Sequence, residues 1–293
     1  MSTAISLLDL THLRFKGPDA ERYLNGQVTQ QVEGLSLGRS CYTFVCDAKG
    51  RILFNATIHR DEEGFLLSLE DCDWEEAFAR MDRYLIADDC EISDESDKWH
   101  LLHEKSEQPQ QEGLINRFGQ LGRDHYLTTE QLNELSDDTF LLNSKREQEE
   151  LRVQNGIPRR PDLTGAFPAE TGREDEAVSF HKGCYLGQEV ISRMKRAGKT
   201  NRKLIALTLP QQPSCCPLSF SAQGNDKILL EVTSASAEME NGSFPALGYL
   251  NSRYKNGTEL TSEDGISVNL STCLLYTSPS PRDQRGSRMP SSA

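Results

Sequence analysis

One short stretch of the sequence combines residue types that do chemistry: His181-Lys182-Gly183-Cys184-Tyr185-Leu186-Gly187-Gln188-Glu189. Cys184 lies beside two basic side chains and just ahead of a helix that is predicted from Gly187 to Lys195. Cationic neighbours and the positive end of a helix dipole lower the pKa of a thiol into the range of about 3.5 to 7.5. Cys184 is therefore the best candidate for a reactive or metal-ligating thiolate. The alternative is a buried structural thiol in a tight glycine turn.

The remaining cysteines give no comparable signal. The chain contains eight cysteines, and no two of them have the Cys-x-x-Cys spacing of zinc sites and thioredoxin-type redox motifs. We expect most of them to be small buried hydrophobic residues and expect no disulfide.

A basic segment follows the reactive stretch. It holds six cations in eleven residues without an acid: Arg193, Lys195, Arg196, Lys199, Arg202 and Lys203. Such a segment binds carboxylates or a phosphate backbone, or it is simply a solvated basic face. Arg159 and Arg160 are candidates to extend it. The formal net charge of the whole chain is −13, which repels nucleic acid and anionic membranes, so we expect neither as a direct partner.

Hydrophobic periodicity and turn residues predict helices and strands in the first half of the chain. A helix is predicted from Pro18 to about Gly26, and a turn at Asp47-Ala48-Lys49-Gly50 separates two predicted strands. A second helix is predicted to begin with a capping box between Asp73 and Glu76. Its apolar face, which we expect to pack in the core, consists of Trp74, Ala77, Phe78, Met81, Tyr84 and Leu85.

The second half of the chain changes from mixed to all-β patterning. A helix capped by Ser144 and Glu147 is predicted to end at Asn155-Gly156. After Thr200, short apolar segments separated by turn residues predict a small all-β domain. From Cys273 onward the sequence is rich in Ser, Pro and Arg and has no periodicity. This tail is either natively disordered or, as we favour, a translated adapter sequence that is not part of the fold.

Residues 182–189, hereafter the signature segment, match the pattern K-G-C-Y-x-G-Q-E at every position. On these residues the chain resembles the folate-binding YgfZ/GcvT-like family, which includes relatives of the glycine-cleavage aminomethyltransferase. Four further segments resemble the family in the expected order: residues 23–29, 46–51, 156–158 and 167–170. The resemblance covers the chain from about residue 5 to 272.

The resemblance implies an α+β fold. Two interwoven ferredoxin-like α/β units would span residues 1–103 and 114–200, a small β-barrel would span 201–272, and the tail would occupy 273–293. A central cavity would hold tetrahydrofolate or another reduced folate. The folate contacts implied for this chain are Asn25, Gln27, Tyr185, Gln188, Glu189, Arg193 and Arg202.

The resemblance also implies a function in the assembly or repair of iron-sulfur proteins, with an indirect effect on tRNA methylthiolation. Cys184 would be the working thiol or a transient ligand of a cluster, with Lys182 beside it in the site. No resident metal is predicted. Besides folate, the expected partners are iron-sulfur client proteins. We expect a cytoplasmic protein, because the first residues lack the basic and apolar stretches of a secretory signal. We expect a monomer, because the sequence shows no coiled-coil heptads.

The alternative function is that of a tetrahydrofolate-dependent aminomethyltransferase or another one-carbon transferase. In the aminomethyltransferases an acidic pair helps to activate the folate, and Asn55-Ala56 occupy the matching positions here. An amide and a methyl group cannot accept a proton as a carboxylate does, which argues against this reaction. Some bacterial members place aromatic residues against the cavity, and the matching residues in this chain are Leu10 and Gln148.

Overall fold

Three β-sheets and eight α-helices make up the part of the chain that the computed structural model describes: residues 4–7, 10–106, 114–134, 140–141, 144–222, 224, 227–237, 239 and 242–276. The helices are α1 Ala20–Gln27, α2 Trp74–Asp82, α3 Thr129–Asn133, α4 Lys145–Gln154, α5 Arg160–Leu163, α6 Glu174–Ala177, α7 Gln188–Ala197 and α8 Leu270–Cys273. None of these helices has the length and the apolar character that a bilayer-spanning helix needs.

The N-terminal sheet is antiparallel and has the strand order β3-β4-β5-β2-β6. Its strands are β2 Leu10–Lys16, β3 Ser40–Cys46, β4 Ile52–Asp61, β5 Gly64–Glu70 and β6 Glu91–Asp94. The turn between β3 and β4 lies at residues 47–51, so the predicted hairpin is confirmed.

The middle sheet has the order β10-β1-β7-β9-β8 and takes its strands from both predicted α/β units. They are β1 Ala4–Leu7, β7 Trp99–Lys105, β8 Ile115–Arg117, β9 Gln120–Thr128 and β10 Phe140–Leu141. β1 pairs with β7 antiparallel and with β10 parallel, whereas β2, the next strand of the chain, lies in the N-terminal sheet. The predicted mixed fold is thus confirmed at the level of helices combined with largely antiparallel sheets.

The C-terminal sheet contains seven antiparallel strands in the order β16-β15-β12-β13-β14-β11-β17 and curls into a half-barrel. Its strands are β11 Arg202–Leu209, β12 Leu218–Ala222, β13 Ile228–Ala235, β14 Phe244–Asn251, β15 Glu259–Ser262, β16 Ser267–Asn269 and β17 Leu274–Tyr276. The all-β patterning after Thr200 is confirmed. The backbone of β17 pairs with β11; the rest of the predicted tail, 277–293, lies outside the described residues. The predicted domain boundaries stay predictions.

The helix ends test the capping predictions. The Ser144–Glu147 capping box is present at the start of α4, which ends before Asn155 as predicted. The capping box predicted for α2 is wrong, because the side chain of Asp73 makes no cap hydrogen bond and the Glu76 carboxylate instead accepts a hydrogen bond from Arg160 at 2.5 Å. The predicted apolar face is only partly buried: Ala77 and Met81 are in the core, but Trp74 is 40% exposed.

The N-terminal sheet packs against other elements on both of its faces. The candidate site lies on the second of these faces. One face packs on α1 and α2 through a cluster that includes Leu24, Phe54, Ala56 and Met81. Successive strand residues point to opposite faces, so Asn55 lies on the other face from Phe54 and Ala56. A second cluster packs residues of β3 and β4 with residues from 163–191, and it includes Tyr42, Phe44, Ile52, Leu163, Tyr185 and Ile191.

The buried His12 on β2 makes the stability of the fold depend on pH. Its side chain is buried, Nδ1 lies 2.8 Å from Ser68 Oγ, and burial together with nearby His100 and Arg14 lowers the pKa of His12 from 6.5 to about 4. The unfolded chain therefore binds a proton at His12 between pH 6.5 and 4 while the folded chain does not, so stability falls as the pH falls through this range.

The free energy of unfolding of the wild-type chain should decrease between pH 7 and pH 4.5, and about 2 kcal/mol of this decrease is due to His12. We predict that the decrease is smaller by this amount in His12→Gln. Urea unfolding at the two pH values measures it. His181→Gln is the matched control for replacing a histidine by glutamine, because His181 is exposed. Equal pH dependence in the wild-type chain and His12→Gln would contradict the prediction.

Candidate functional site

The signature segment is anchored to the first helix by one buried side chain. The ammonium group of Lys182 donates hydrogen bonds to the main-chain carbonyls of Asn25 at 2.6 Å, Val28 at 2.9 Å and Gln30 at 2.7 Å. These carbonyls belong to the last turn of α1 and the loop after it, where a helix leaves its acceptors without partners. A lysine ammonium has three donors, and here all three are used.

Two opposing effects act on the charge of Lys182. Burial lowers the pKa of its ammonium group to about 7, whereas nearby Cys41 and Glu33 raise it. The three carbonyl acceptors need all three ammonium protons, so they favour the charged form. The predicted catalytic role of Lys182 beside Cys184 stays a prediction, since the nitrogen of Lys182 binds the carbonyls after α1.

The signature segment also packs backbone-to-backbone against the β3–β4 hairpin. Gly187, the N-cap of α7, has a φ of 85°. A Cβ atom on Gly187 would lie 2.6 Å from the carbonyl oxygen of Asp47 and 2.9 Å from Cα of Gly50. Only glycine fits this conformation and this close approach without strain. Two segments that the sequence analysis singled out, the hairpin and the signature, therefore meet in space.

A third matching segment contacts the same hairpin. The amide of Ile52 donates to the carbonyl of Ala166 at 2.9 Å, and the amide of Gly165 donates to the carbonyl of Ile52 at 2.8 Å. The guanidinium of Arg51 lies over the ring of Phe167, 4.4 Å from its centroid. Through these contacts, the chain that leads into the signature segment packs along the β3–β4 hairpin.

Cys184 is exposed on the loop between Lys182 and α7, and His181 before it is exposed as well. Its thiol is therefore accessible to a partner molecule. In the part of the chain that the structure describes, no group of three or more His, Cys, Asp or Glu side chains is arranged to hold a metal ion. The predictions that Cys184 is a reactive thiol or a transient cluster ligand stay predictions.

The other described cysteines are free thiols in varied surroundings. Burial raises the pKa of Cys41 to about 12 and those of Cys72 and Cys90 to about 11, so these thiols are protonated at neutral pH. The expectation that most cysteines are buried is wrong for the described residues. Cys46 is buried, whereas three cysteines are half-buried and three are exposed: Cys41, Cys72 and Cys90, and Cys184, Cys215 and Cys216. Cys215 and Cys216 lie in the loop before β12.

Two neighbouring cavities open between the N-terminal, middle and C-terminal sheets. The inner recess has a volume of about 30 Å³, and its walls include Tyr42, Asn55, Glu70, Asn116 and Arg117. The outer cavity has a volume of about 280 Å³ and includes Gly156, Gly172 and Lys203. Three residues border both cavities: Asn116, Ile157 and Arg173.

The inner recess contains buried polar atoms that have no partner within the described residues. They are the hydroxyl of Tyr42, Oδ1 of Asn55 and Oδ1 of Asn116. Burial raises the pKa of Tyr42 to about 12, so its hydroxyl keeps its proton and can donate it. Buried polar groups in folded proteins are almost always hydrogen-bonded, to protein, water or ligand. Three such groups around one recess indicate a place for a polar partner.

The charged groups at the recess are mostly neutralised by one another. Arg117 contacts Asp124 at 2.9 Å and Glu70 at 2.7 Å. Burial alone would raise the pKa of Asp124, but the ion pair with Arg117 and the contact with His103 outweigh it and lower the pKa to about 2. The recess therefore offers hydrogen-bonding groups more than free charge.

None of the seven implied folate contacts lines either cavity. The Asn25 side chain accepts a hydrogen bond from the amide of Val32 at 3.0 Å, and Gln27 accepts one from Arg80 at 3.1 Å. Arg202 is paired with two carboxylates. Tyr185 is buried in the core, while Gln188, Glu189 and Arg193 lie along α7. These seven folate contacts stay predictions, and in this structure their side chains lie outside the two cavities.

Several cavity residues were already named in the sequence: the segment 156–158, Arg159, Lys203 and Asn55. Of these, Asn55 has the most specific expected position. It borders the recess as the match to the aminomethyltransferase acids implied, whereas Ala56 faces the opposite core. Leu10 packs with a small cluster that contains Phe118, another residue of the recess. Gln148 is half-buried on α4. Tyr42 and Asn116 were missed, because they carry no local pattern that separates them from ordinary strand residues.

Comparison with known proteins finds similarity to the same family that the signature segment resembles. Residues 1–103 match the GCVT N-terminal domain. The tRNA-modifying protein YgfZ of Cronobacter sakazakii is 27% identical over 230 residues, which cover 69% of this chain and 70% of that protein. The chain is thus similar to YgfZ proteins over most of its length and to the GCVT N-terminal domain over its first 103 residues. The predicted resemblance is confirmed.

Two further comparisons concern aminomethyltransferases. That of Rubrobacter xylanophilus is 34% identical over 135 residues, which cover 43% of this chain and only 36% of the relative. The structure of aminomethyltransferase T of Bartonella henselae superposes with a TM-score of 0.69 at 17% identity and covers 91% of this chain and 84% of that one. This second likeness shows a shared fold, and activity does not follow from it.

The contact of Gly187 with the hairpin leads to a prediction about stability. We expect Gly187→Ala to lower the free energy of unfolding by roughly 1–3 kcal/mol, because the new Cβ would collide with the main chain at a positive φ. Gly183→Ala is the matched control in the same segment, with nothing within 4 Å of its added Cβ. Urea unfolding measures both, and equal effects would contradict the account of this contact.

Proposed function

We propose that this protein is a cytoplasmic, folate-binding accessory factor of the YgfZ type. In this proposal it acts in the assembly or repair of iron-sulfur proteins and affects tRNA modification indirectly. Cys184 is its working thiol and iron-sulfur proteins are its clients. The relationship to proteins named tRNA-modifying protein YgfZ supports this role.

Three buried side chains, Tyr42, Asn55 and Asn116, carry the folate part of the proposal, because each has a polar atom without a hydrogen-bond partner among the residues that the structure describes. The pterin of a folate has an edge of alternating hydrogen-bond donors and acceptors on a flat ring. A hydroxyl and two side-chain amides are the neutral groups that such an edge needs. The side chains of Ile115 and Ile157 add apolar walls beside them.

The sizes of the two cavities restrict how a folate can bind. The inner recess alone holds no more than water-sized groups. The ring must therefore lie where the two cavities meet, at Asn116 and Ile157, with its polar edge toward Tyr42 and Asn55. A bound tetrahydrofolate would supply a carrier of one-carbon units. The residues of this chain would bind and orient its ring and exclude water from its buried edge.

Aminomethyl transfer is not part of this proposal. That reaction needs a carboxylate facing the folate to accept a proton or to balance a developing positive charge. Asn55 offers an amide instead, and the carboxylate that does border the recess, Glu70, is engaged with Arg117 at 2.7 Å. Formation of methylene-tetrahydrofolate from an aminomethyl donor by this chain would favour the transferase instead.

We predict that Asn55→Leu weakens tetrahydrofolate binding about tenfold, because the ring would lose a hydrogen bond in a buried site. The free energy of unfolding should stay equal or rise, since the substitution also removes an unpaired polar atom. Isothermal titration calorimetry measures the affinity. Asn201→Leu, at an exposed position outside both cavities, is the control and should bind normally. Unchanged affinity in Asn55→Leu would contradict this placement of the folate.

We predict that Cys184→Ser folds and binds tetrahydrofolate like the wild-type chain but loses function in the cell. The side chain is exposed, so its replacement should change the free energy of unfolding by no more than about 0.5 kcal/mol. Complementation of a bacterial strain without its own homologue, read out as tRNA methylthiolation, measures the function. Cys215→Ser, at another exposed cysteine, should complement. Full complementation by Cys184→Ser would remove the thiol from the mechanism.

A further inference from the structure

The loop between β11 and β12 carries the only two cysteines that are adjacent in the sequence, Cys215 and Cys216. Both are free and exposed, so small molecules can reach them. Neither residue borders the two cavities or belongs to the signature segment. The proposed function does not use this pair, and two neighbouring thiols have a chemistry that a single thiol does not have.

The fold restrains this loop on both sides of the pair. Pro213 and Pro217 flank the two cysteines, and the proline ring fixes the backbone angle φ at each of these positions. The amide and the hydroxyl of Ser214 both donate to Oδ2 of Asp264, at 3.2 and 2.6 Å. Asp264 lies between β15 and β16, so the loop is tied to a second part of the C-terminal sheet. A restrained backbone loses less entropy when both thiols bind one ligand.

The backbone at the pair is bent rather than extended, from residue 214 to 217. Adjacent side chains of an extended strand point to opposite faces, and a bend removes this alternation. Partial burial raises the pKa of the Cys216 thiol to about 11, and nearby Asp162, Cys215 and Glu149 add to the rise. Cys216 is therefore a protonated thiol at neutral pH, with Cys215 beside it.

A disulfide between the two cysteines would be strained. Adjacent Cα atoms are about 3.8 Å apart across a trans peptide, whereas disulfides usually join Cα atoms about 4.4–6.8 Å apart. The protonated thiol of Cys216 is also a weak nucleophile for thiol–disulfide exchange. One atom placed between the two sulfurs enlarges the ring and removes this constraint. The pair therefore favours a soft, sulfur-seeking atom that binds both sulfurs at once.

The number of available ligands decides which kind of atom fits. A structural zinc ion takes four protein ligands. Among the residues that the structure describes, no group of three or more His, Cys, Asp or Glu side chains is arranged to hold a metal ion, so the two thiols lack the further ligands. A trivalent arsenic atom that carries one organic group has two bonds left, and two sulfurs satisfy it.

We propose that Cys215 and Cys216 form a dithiol site that binds trivalent organic arsenicals as a two-sulfur chelate. An arsonous acid, R–As(OH)2, has two exchangeable hydroxide groups. Each thiol sulfur forms a bond to arsenic, each As–O bond breaks, and each departing hydroxide takes one thiol proton and leaves as water. Arsenic stays trivalent, so the reaction needs neither an oxidant nor a reductant. This site is independent of Cys184 and of the proposed function.

The test measures how firmly the full chain holds phenylarsine oxide, which is an arsonous acid in water. The protein forms are wild type, Cys215→Ser, Cys216→Ser and Cys184→Ser, each reduced and then mixed with one equivalent of the arsenical. An excess of a monothiol competes for the arsenic, and the mass of the intact protein gives the number of phenylarsenic groups that remain. Cys184→Ser is the matched control, because it removes an exposed thiol that has no adjacent cysteine.

We expect the wild-type chain and Cys184→Ser to keep one phenylarsenic group, and Cys215→Ser and Cys216→Ser to lose it. The two thiols together should hold arsenic at least about 100-fold more tightly than either alone, because the second bond forms within the chain. A dithiol competitor should remove the group from the wild type. The urea midpoint of each variant should equal that of the wild type, so that a lost adduct reports a lost ligand and not a lost fold.

Two results would overturn this inference. One is complete loss of the arsenical from the wild-type chain in the presence of the monothiol. The other is equal retention by the wild type and by either Cys215→Ser or Cys216→Ser, which would place the chelate on other cysteines.

Discussion

The ammonium group of Lys182 joins parts of the chain that are about 150 residues apart in sequence. Its three carbonyl partners are the acceptors that α1 and the following loop leave open. Without the lysine each of these buried carbonyls would lose a partner, at a cost of about 1–3 kcal/mol per group. This contact anchors the signature segment beside the N-terminal sheet, together with the close approach of Gly187 to the β3–β4 hairpin. The exposed Cys184, the contact of Gly187 with the hairpin and the packing of Tyr185 in the core lie in this same anchored segment.

The cavity depends on the same arrangement. The N-terminal sheet uses one face for α1 and α2, and its other face is covered by the segments that the signature holds in place. Asn55 lies on that second face, where its cross-strand partner Phe44 is apolar. A polar residue there stays without a partner unless a ligand or water supplies one. The sheet thus supplies both the rigid support and the unpaired groups of the candidate site.

Much of this could be predicted from the sequence, for reasons that differ between elements. Local rules predicted α1, the 47–50 turn and the Ser144–Glu147 cap, because their residues act on their own neighbours. The rule failed at Asp73, where a tertiary ion pair of Glu76 with Arg160 replaces the cap. The cavity residues Tyr42 and Asn116 come from strands in different sheets, so no periodicity could bring them together. For the basic segment, the sequence predicted the charges but not their partners, and only the fold separates Lys203 from Arg202.

In the proposed function, the junction of the two cavities binds the ring of a reduced folate. The most direct measurement is a crystal structure of the full chain grown with saturating tetrahydrofolate. The account predicts the pterin edge within hydrogen-bonding distance of Tyr42, Asn55 and Asn116, with no large movement of the N-terminal sheet. A folate bound elsewhere on the molecule, or cavities that stay free of ligand at saturation, would contradict it.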